Sequence, residues 1–369
     1  MDDFAAVVEV VTDAADFPRA ERTSQGVVVY DAGALCAADQ HEVRAELARV
    51  LLDGPGIFVL EGAVPEDVVD RTTAVFEAMI ADQRATASKA GDHFAKPGAN
   101  DRVWNALEKL ARRDPDAFVD YYANAAIALA ALAWLGPGYQ VTSQVNVVNP
   151  GGEAQLPHRD YHLGFMTIEE AAEFPAHVHH LSAALTLQGA VAHCDMPVES
   201  GPTMYLPYSH QYVPGYLAWR LPAFRDHFAQ HYVQLPLTKG DAVFFNPALF
   251  HGAGTNVSAD VQRVANLLQV SSAFGRAMET VDRDRVVRAV YPVLLDRKAA
   301  GTPDAELGHA LAAAAEGYPF PTNLDLDQPV GGMTPASQAE LAADALASGV
   351  RAEDLAGVLD DYAARRATS

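Results

Sequence analysis

The sequence predicts an α+β fold with a mainly β core, an antiparallel sandwich or barrel over residues 139–275, and helices flanking it at both ends. Three observations lead there. Val141, Ser143, Val145 and Val147 alternate with Thr142, Gln144 and Asn146, the two-residue period of a half-buried strand. Short apolar runs separated by turn residues follow as far as Ser271. On either side of this stretch, apolar residues recur at helical spacing instead.

The elements follow in chain order. Residues 40–52 place Val43, Leu47, Val50 and Leu51 on one helical face, and Gly54-Pro55-Gly56 breaks that helix. Ile57 to Leu60 read as a short buried strand. A second helix is expected from just after Pro65 to about Gln83, with Val68, Val69, Thr72, Phe76 and Met79 inward. Residues 86–100 are polar and contain Gly and Pro, as a loop over a site would. The Ala/Leu-rich stretch 123–135 is too short for a bilayer and reads as a buried helix. Beyond the first core strand, further strands are expected at 183–191, 202–206, 234–237, 242–245 and 264–271. After Tyr291 the pattern is helical and Ala-rich, interrupted by a Pro/Gly loop at 317–335 that either packs across the core or closes the site. Ser337 with Glu340 forms a capping box that restarts a helix, which Gly349 is placed to end. The expected organisation is an N-terminal extension (1–39), a single domain (40–290) with a helical lead-in (40–138) and the β core, and a C-terminal helical extension (291–369) packed on that core.

Composition narrows the function. Half of the 369 residues are hydrophobic, enough for a sizeable core. The 26 basic against 48 acidic residues give a net charge of -22, which repels nucleic-acid backbones and anionic lipid surfaces, so neither partner is expected. Two cysteines, Cys36 and Cys194, make no disulfide framework or CxxC motif. The acidic start Met1-Asp2-Asp3 is unlike a signal peptide, and a cytoplasmic location is expected. No sequence feature speaks to oligomeric state.

The chemistry concentrates in two segments. In Pro157-His158-Arg159-Asp160, residues two apart on an extended chain project from the same face, so His158 and Asp160 can both address one ion. A Gly240-Asp241 turn then feeds an aromatic run that delivers His251, and Arg263 follows twelve residues later on the return strand. Two histidines and one carboxylate make the facial triad of non-haem iron(II) oxygenases, which leaves coordination positions open. An arginine fork is the group that holds the far carboxylate of a dicarboxylic acid.

With these segments the sequence resembles the phytanoyl-CoA dioxygenase family of iron(II)- and 2-oxoglutarate-dependent oxygenases, over about residues 40–275. The resemblance rests on the Gly151-Gly152 turn running into His158-Arg159-Asp160, the Gly201-Pro202 to Pro207-Tyr208-Ser209-His210 block, and the segment from Gly240 through His251 to Arg263. It implies a double-stranded β-helix (jelly roll, cupin-like). His158, Asp160 and His251 are then iron ligands, and Arg263 binds 2-oxoglutarate. Iron(II), 2-oxoglutarate and dioxygen are the implied cofactor and co-substrates, and a small-molecule metabolite is hydroxylated with release of succinate and CO2. Tyr208 stands where the family usually has Gly, and Arg159 where some members have Gln. Ala253 replaces a Ser that in some members helps hold the co-substrate; Gln144, Asn146 and Thr186 are candidates for the missing hydrogen bonds.

Other residues carry weaker signals. His177, His179 and His180 are expected to be surface or loop histidines rather than a metal site. His93, Phe94, Lys96, Arg102 and Trp104 suit either a substrate lid or a solvated loop. With only five lysines and so acidic a chain, a polyanionic coenzyme A thioester is disfavoured against a neutral, zwitterionic or cationic metabolite or a singly charged acid. Two rivals stand beside the oxygenase: a catalytically silent jelly-roll binding protein, and a zinc or manganese cupin. The complete set of four key residues speaks against the first, and the absence of a close histidine pair before Asp160 against the second.

Overall fold

The computed structural model describes residues 1–86 and 100–368; His93, Phe94 and Lys96 lie outside them. Eleven strands are described: β1 (Arg22–Ser24), β2 (Val27–Asp31), β3 (Ile57–Glu61), β4 (Asn100–Val103), β5 (Gln140–Val148), β6 (Thr186–Ala192), β7 (Thr203–Leu206), β8 (Val233–Gln234), β9 (Ala242–Phe245), β10 (Phe250–Ala253) and β11 (Arg263–Ser271). They form an eight-stranded sheet in the order β1-β2-β3-β9-β6-β11-β5-β4 and a three-stranded sheet in the order β10-β7-β8. Among the described strands only β2 and β3 pair in parallel.

Alternation gives the large sheet two different faces. On β9, Ala242 and Phe244 join the main hydrophobic core beneath the helices, while Val243 and Phe245 join the cluster shared with Tyr205 of β7 and Leu249. On β11, Val264, Leu268 and Val270 pack into the helical core, and Arg263, Ala265, Leu267 and Gln269 line a cavity on the other face. The cavity lies between the two sheets, against the face that does not carry the helices.

Most of the expected helices form. Gln40–Leu52 starts at Asp39, whose side chain accepts from the His41 and Glu42 amides. Ala125–Leu135 starts at Asn124, which caps Ile127, and packs against Gln40–Leu52. Among the described residues no single helix is long and apolar enough to cross a membrane. At the C-terminal end, Arg283–Ala299, Asp304–Ala314, Gln338–Ala347 and Ala352–Arg366 bury Val290, Leu311, Ala342 and Leu359 in the main core. Ser337 and Glu340 close the expected capping box.

Three local expectations shift. The strand expected at 183–191 begins only at Thr186, because Ala183 and Ala184 end the helix Ala176–Ala184. The strand expected at 234–237 shortens to β8, and Leu237 makes an isolated bridge with Met196. Residues 22–31, where no element was expected, form β1 and β2, which extend the large sheet with Val28 and Tyr30 fully buried. The 317–335 loop lines no part of the cavity. It packs on the last helix, where Arg366 donates to the Pro319 and Pro321 carbonyls.

Candidate metal centre and co-substrate pocket

The cavity measures about 660 Å³ and takes in His158, Asp160, His251 and Arg263 together. Two turns lead to His251. Gly240, at φ +93°, has no room for a side chain, since a Cβ would meet the Val64 carbonyl. Asp241 beside it accepts from the Gly62 and Thr238 amides, so the Gly-Asp turn anchors β9 rather than reaching into the cavity. Asn246 then bends the chain by accepting from the Ala248 amide and donating to the Leu51 carbonyl, which starts β10 one residue before His251.

The chain around His158 runs extended along the free edge of β10. Gln155 donates to Ala253, His158 and His251 exchange backbone hydrogen bonds, and Asp160 donates to Pro247. This pairing points both imidazoles to one side, with ring centroids 4.5 Å apart. The ligating atoms of His158, Asp160 and His251 all lie within 4.8 Å of one another. Among the described residues this is the one group of three or more His, Cys, Asp or Glu side chains so arranged.

Each imidazole is held by the carbonyl two residues upstream, His158 Nδ1 by Leu156 at 2.8 Å and His251 Nδ1 by Leu249 at 2.9 Å. A carbonyl only accepts, so Nδ1 carries the hydrogen and Nε2 keeps its lone pair for a cation. The Nε2 atoms lie 3.7 Å and 3.5 Å from the Asp160 carboxylate. Burial alone would raise the Asp160 pKa, but the two imidazoles and the Gln188 amide, which donates to it, hold the carboxyl well below the usual range. Burial lowers the His158 pKa against the opposing pull of Asp160, which favours the neutral ring. Two imidazoles and one carboxylate, oriented from behind, fit a divalent iron.

Arg263 begins β11 on the cavity face and is 6% exposed. Its Nη1 donates to the Ser200 and Gly254 carbonyls at 3.2 Å and 3.5 Å, and among the described residues no carboxylate pairs with it. Burial lowers its pKa to about 10, so it stays charged at neutral pH. A buried guanidinium without a counter-charge calls for an anion.

The other expected site residues divide. Gln144 and Asn146 line the cavity from β5; Gln144 accepts from Arg102 at 2.9 Å, and the buried Asn146 Oδ1 has no partner. Thr186 does not line it. It is the first residue of β6, and Gln188, two residues on and therefore on the same face, is the one that reaches Asp160. Strand alternation was the signal that could have found Gln188. The same alternation turns Arg159 away from its neighbours: its guanidinium lies between the Tyr216 and Phe250 rings, donates to the Ser209 and Tyr212 carbonyls, and fills the space where a Cβ on Gly215 would stand. Arg102 and Trp104 line the cavity, whereas His177 and His180 are exposed and His179 binds the Ala171 carbonyl.

The profile of the phytanoyl-CoA dioxygenase (PhyH) family matches residues 52–265, more than half of the sequence. The chain belongs to the phytanoyl-CoA dioxygenase family. It is therefore an iron- and 2-oxoglutarate-dependent enzyme, with iron(II), 2-oxoglutarate and dioxygen as its cofactor and co-substrates. No curated protein matches the chain. Among solved structures it is similar to the non-heme alpha ketoglutarate dependent epimerase SnoN from nogalamycin biosynthesis, at 20% identity and TM-score 0.45, over 63% of this chain and 84% of that one. It is also similar to the carbocyclase SnoK from the same biosynthesis, at 18% identity and TM-score 0.46, over 68% and 92%. A third is HygX from Streptomyces hygroscopicus, crystallised with nickel, 2-oxoglutarate and hygromycin B, at 13% identity and TM-score 0.43, over 64% and 90%.

Proposed function

We propose that this phytanoyl-CoA dioxygenase family member hydroxylates a small-molecule metabolite, with His158, Asp160 and His251 holding iron(II) and Arg263 holding the distal carboxylate of 2-oxoglutarate. The observation that carries the reading is the pairing, in one cavity, of a His/Asp/His donor set with a buried arginine that lacks a counter-charge. When bound, the iron supplies the oxidation of 2-oxoglutarate to succinate and CO2 and the oxidation of the substrate by dioxygen.

The chain's own residues position and exclude. The Leu156 and Leu249 carbonyls fix the tautomers of the two imidazoles, and Gln188 fixes the carboxylate. Thr203, paired in register with Ala253 and lining the cavity, supplies the hydroxyl that Ala253 lacks. Tyr205, buried and opposite His251, closes the wall beside Arg263. Gln144 and Asn146 offer amides from the β5 floor. Phe245 lies edge-on to the His251 ring at 4.7 Å and keeps water from that side. The two facing sheets are read as a double-stranded β-helix within one oxygenase domain of residues 40–290, to which the 1–39 extension adds β1 and β2 and on which the 291–369 helices pack.

The test is succinate formation from 2-oxoglutarate by the purified protein with iron(II) and air. Iron-dependent succinate supports the oxygenase. Metal binding with no succinate, with or without candidate substrates, supports a silent binding protein.

A further inference from the structure

We propose that the substrate is an organic anion, whose carboxylate or phosphate group is gripped by Arg220 and Arg225 while its apolar body reaches toward His158 and His251. This deepens the reading of the cavity as an oxygenase chamber and rests on it.

Both arginines line the cavity. Arg220 is the residue before the short link into the helix Pro222–His231, and Arg225 lies in that helix's first turn. Among the described residues neither has a carboxylate partner, in a chain of net charge -22 where most exposed arginines are paired with acids. Arg220 makes one long hydrogen bond, to the Gly164 carbonyl at 3.4 Å, and its buried Nη1 has no partner. The side chain of Arg225 makes no hydrogen bond, and its Nε is buried without an acceptor. Burial and the nearby charge of Arg225 both lower the Arg220 pKa; Glu169 acts in the opposite direction but forms no ion pair. Two like charges close enough to repel, lining one cavity with open donor capacity, cost free energy that a bound anion would recover.

The neighbouring groups agree. The indole N–H of Trp219, 9% exposed and on the same wall, is also buried without an acceptor. Trp219, Arg220 and Arg225 thus present only donors. The Arg220 guanidinium stacks on the Trp219 ring at 3.9 Å, and that ring lies 6.4 Å from the His158 ring, so the anion site sits beside the metal centre rather than at a remote surface. The same cavity is lined by apolar residues as well, Leu156, Phe165 and Leu237 among them. A compact anionic head on an apolar body matches this wall, and Arg263, already placed on 2-oxoglutarate, is not needed for it.

The test is anaerobic calorimetric titration of the protein saturated with iron(II) and 2-oxoglutarate. The probes share one ring system: naphthoate, naphthyl phosphate and the uncharged naphthalenemethanol. At least one anion should bind about tenfold tighter than the alcohol, the effect of a charge-assisted hydrogen bond, and the advantage should shrink with salt. Which anion wins distinguishes a carboxylate head from a phosphate head. The preference should vanish in Arg225→Gln and in the Arg220→Gln/Arg225→Gln double variant, with alcohol and 2-oxoglutarate affinities kept. Anions that bind no tighter than the alcohol to the wild type overturn the proposal, whatever the variants do. So does a preference that survives the double substitution, or one that disappears as 2-oxoglutarate saturates, which would place the anion on Arg263. Failure of 2-oxoglutarate itself to bind would count against the oxygenase reading instead, and the arginine-dependent preference can still be read without it.

Discussion

His158 and His251 lie directly opposite each other in an isolated antiparallel bridge, each donating its backbone N–H to the other's carbonyl, at 2.9 Å and 3.1 Å. Residues 93 positions apart in sequence thereby become neighbours on one face, and each ring is steered by its own upstream carbonyl. The candidate metal centre is built into strand pairing, so its geometry is as rigid as the sheet edge that carries it.

Replacing any one of the three donors should remove catalysis without unfolding the chain. His158→Ala, Asp160→Ala and His251→Ala are expected to bring iron-dependent succinate formation below detection, while circular dichroism melting stays close to wild type. Full activity with iron retained in any variant would take that residue out of the set.

Gln188 acts through Asp160 and is a positioning residue. Gln188→Leu should weaken iron(II) binding by about 10- to 100-fold, the usual effect of losing an outer hydrogen bond to a ligand. Gln188→Asn, which keeps an amide, should recover part of that loss. Equilibrium dialysis against iron(II) checks both, and unchanged affinity in the leucine variant would leave Gln188 a packing residue.

Arg263→Leu should raise the concentration of 2-oxoglutarate needed for half-maximal turnover, because losing a buried charged contact costs about 2 to 5 kcal/mol. Iron binding should persist. Arg263→Lys, which keeps the charge but not the fork, should fall between the two. Collapse of iron affinity with unaltered 2-oxoglutarate dependence would make Arg263 structural.

Stability should fall in mild acid through the buried His193 and the half-buried His210. His193 bonds to Thr73 Oγ1 and the Tyr121 hydroxyl, and burial pushes its pKa down to about 3; His210 is likewise pushed to about 3 by burial. Both are neutral in the folded chain well below the ordinary histidine value of about 6.5. The unfolded chain takes up protons there that the folded chain refuses, so stability decreases as pH falls from about 6.5 toward 3. Each histidine contributes a slope of about 1 kcal/mol per pH unit between pH 5 and 6. Urea titrations across that range should show a shallower slope for His193→Gln; an identical slope would contradict the assignment.

The proposed metal donors were legible in the sequence because two of them share one extended tripeptide and the third sits at the end of a Gly-Asp-led strand, all local patterns. Gln188 was not, since its role depends on which residue of β6 falls beside Asp160, a register set by pairing with β9 and β11. Thr186 and Gln188 share a face, and only the depth of the strand separates the one that reaches the site from the one that does not. β2 carries an ordinary strand signal, the β-branched and aromatic run Val27 to Tyr30 between Gly26 and Asp31; what the sequence does not show is its parallel pairing with β3. Arg220 and Arg225 show the limit of net charge as a guide, since a chain of -22 can still hold two cations that have no carboxylate partner among the described residues.

The most direct measurement is anomalous diffraction at the iron edge from crystals grown anaerobically with iron(II) and 2-oxoglutarate. The account predicts one strong peak bounded by His158 Nε2, His251 Nε2 and the Asp160 carboxylate, with the distal carboxylate of 2-oxoglutarate on the Arg263 guanidinium. A peak elsewhere, no peak at saturating iron, or 2-oxoglutarate bound away from Arg263 would contradict it.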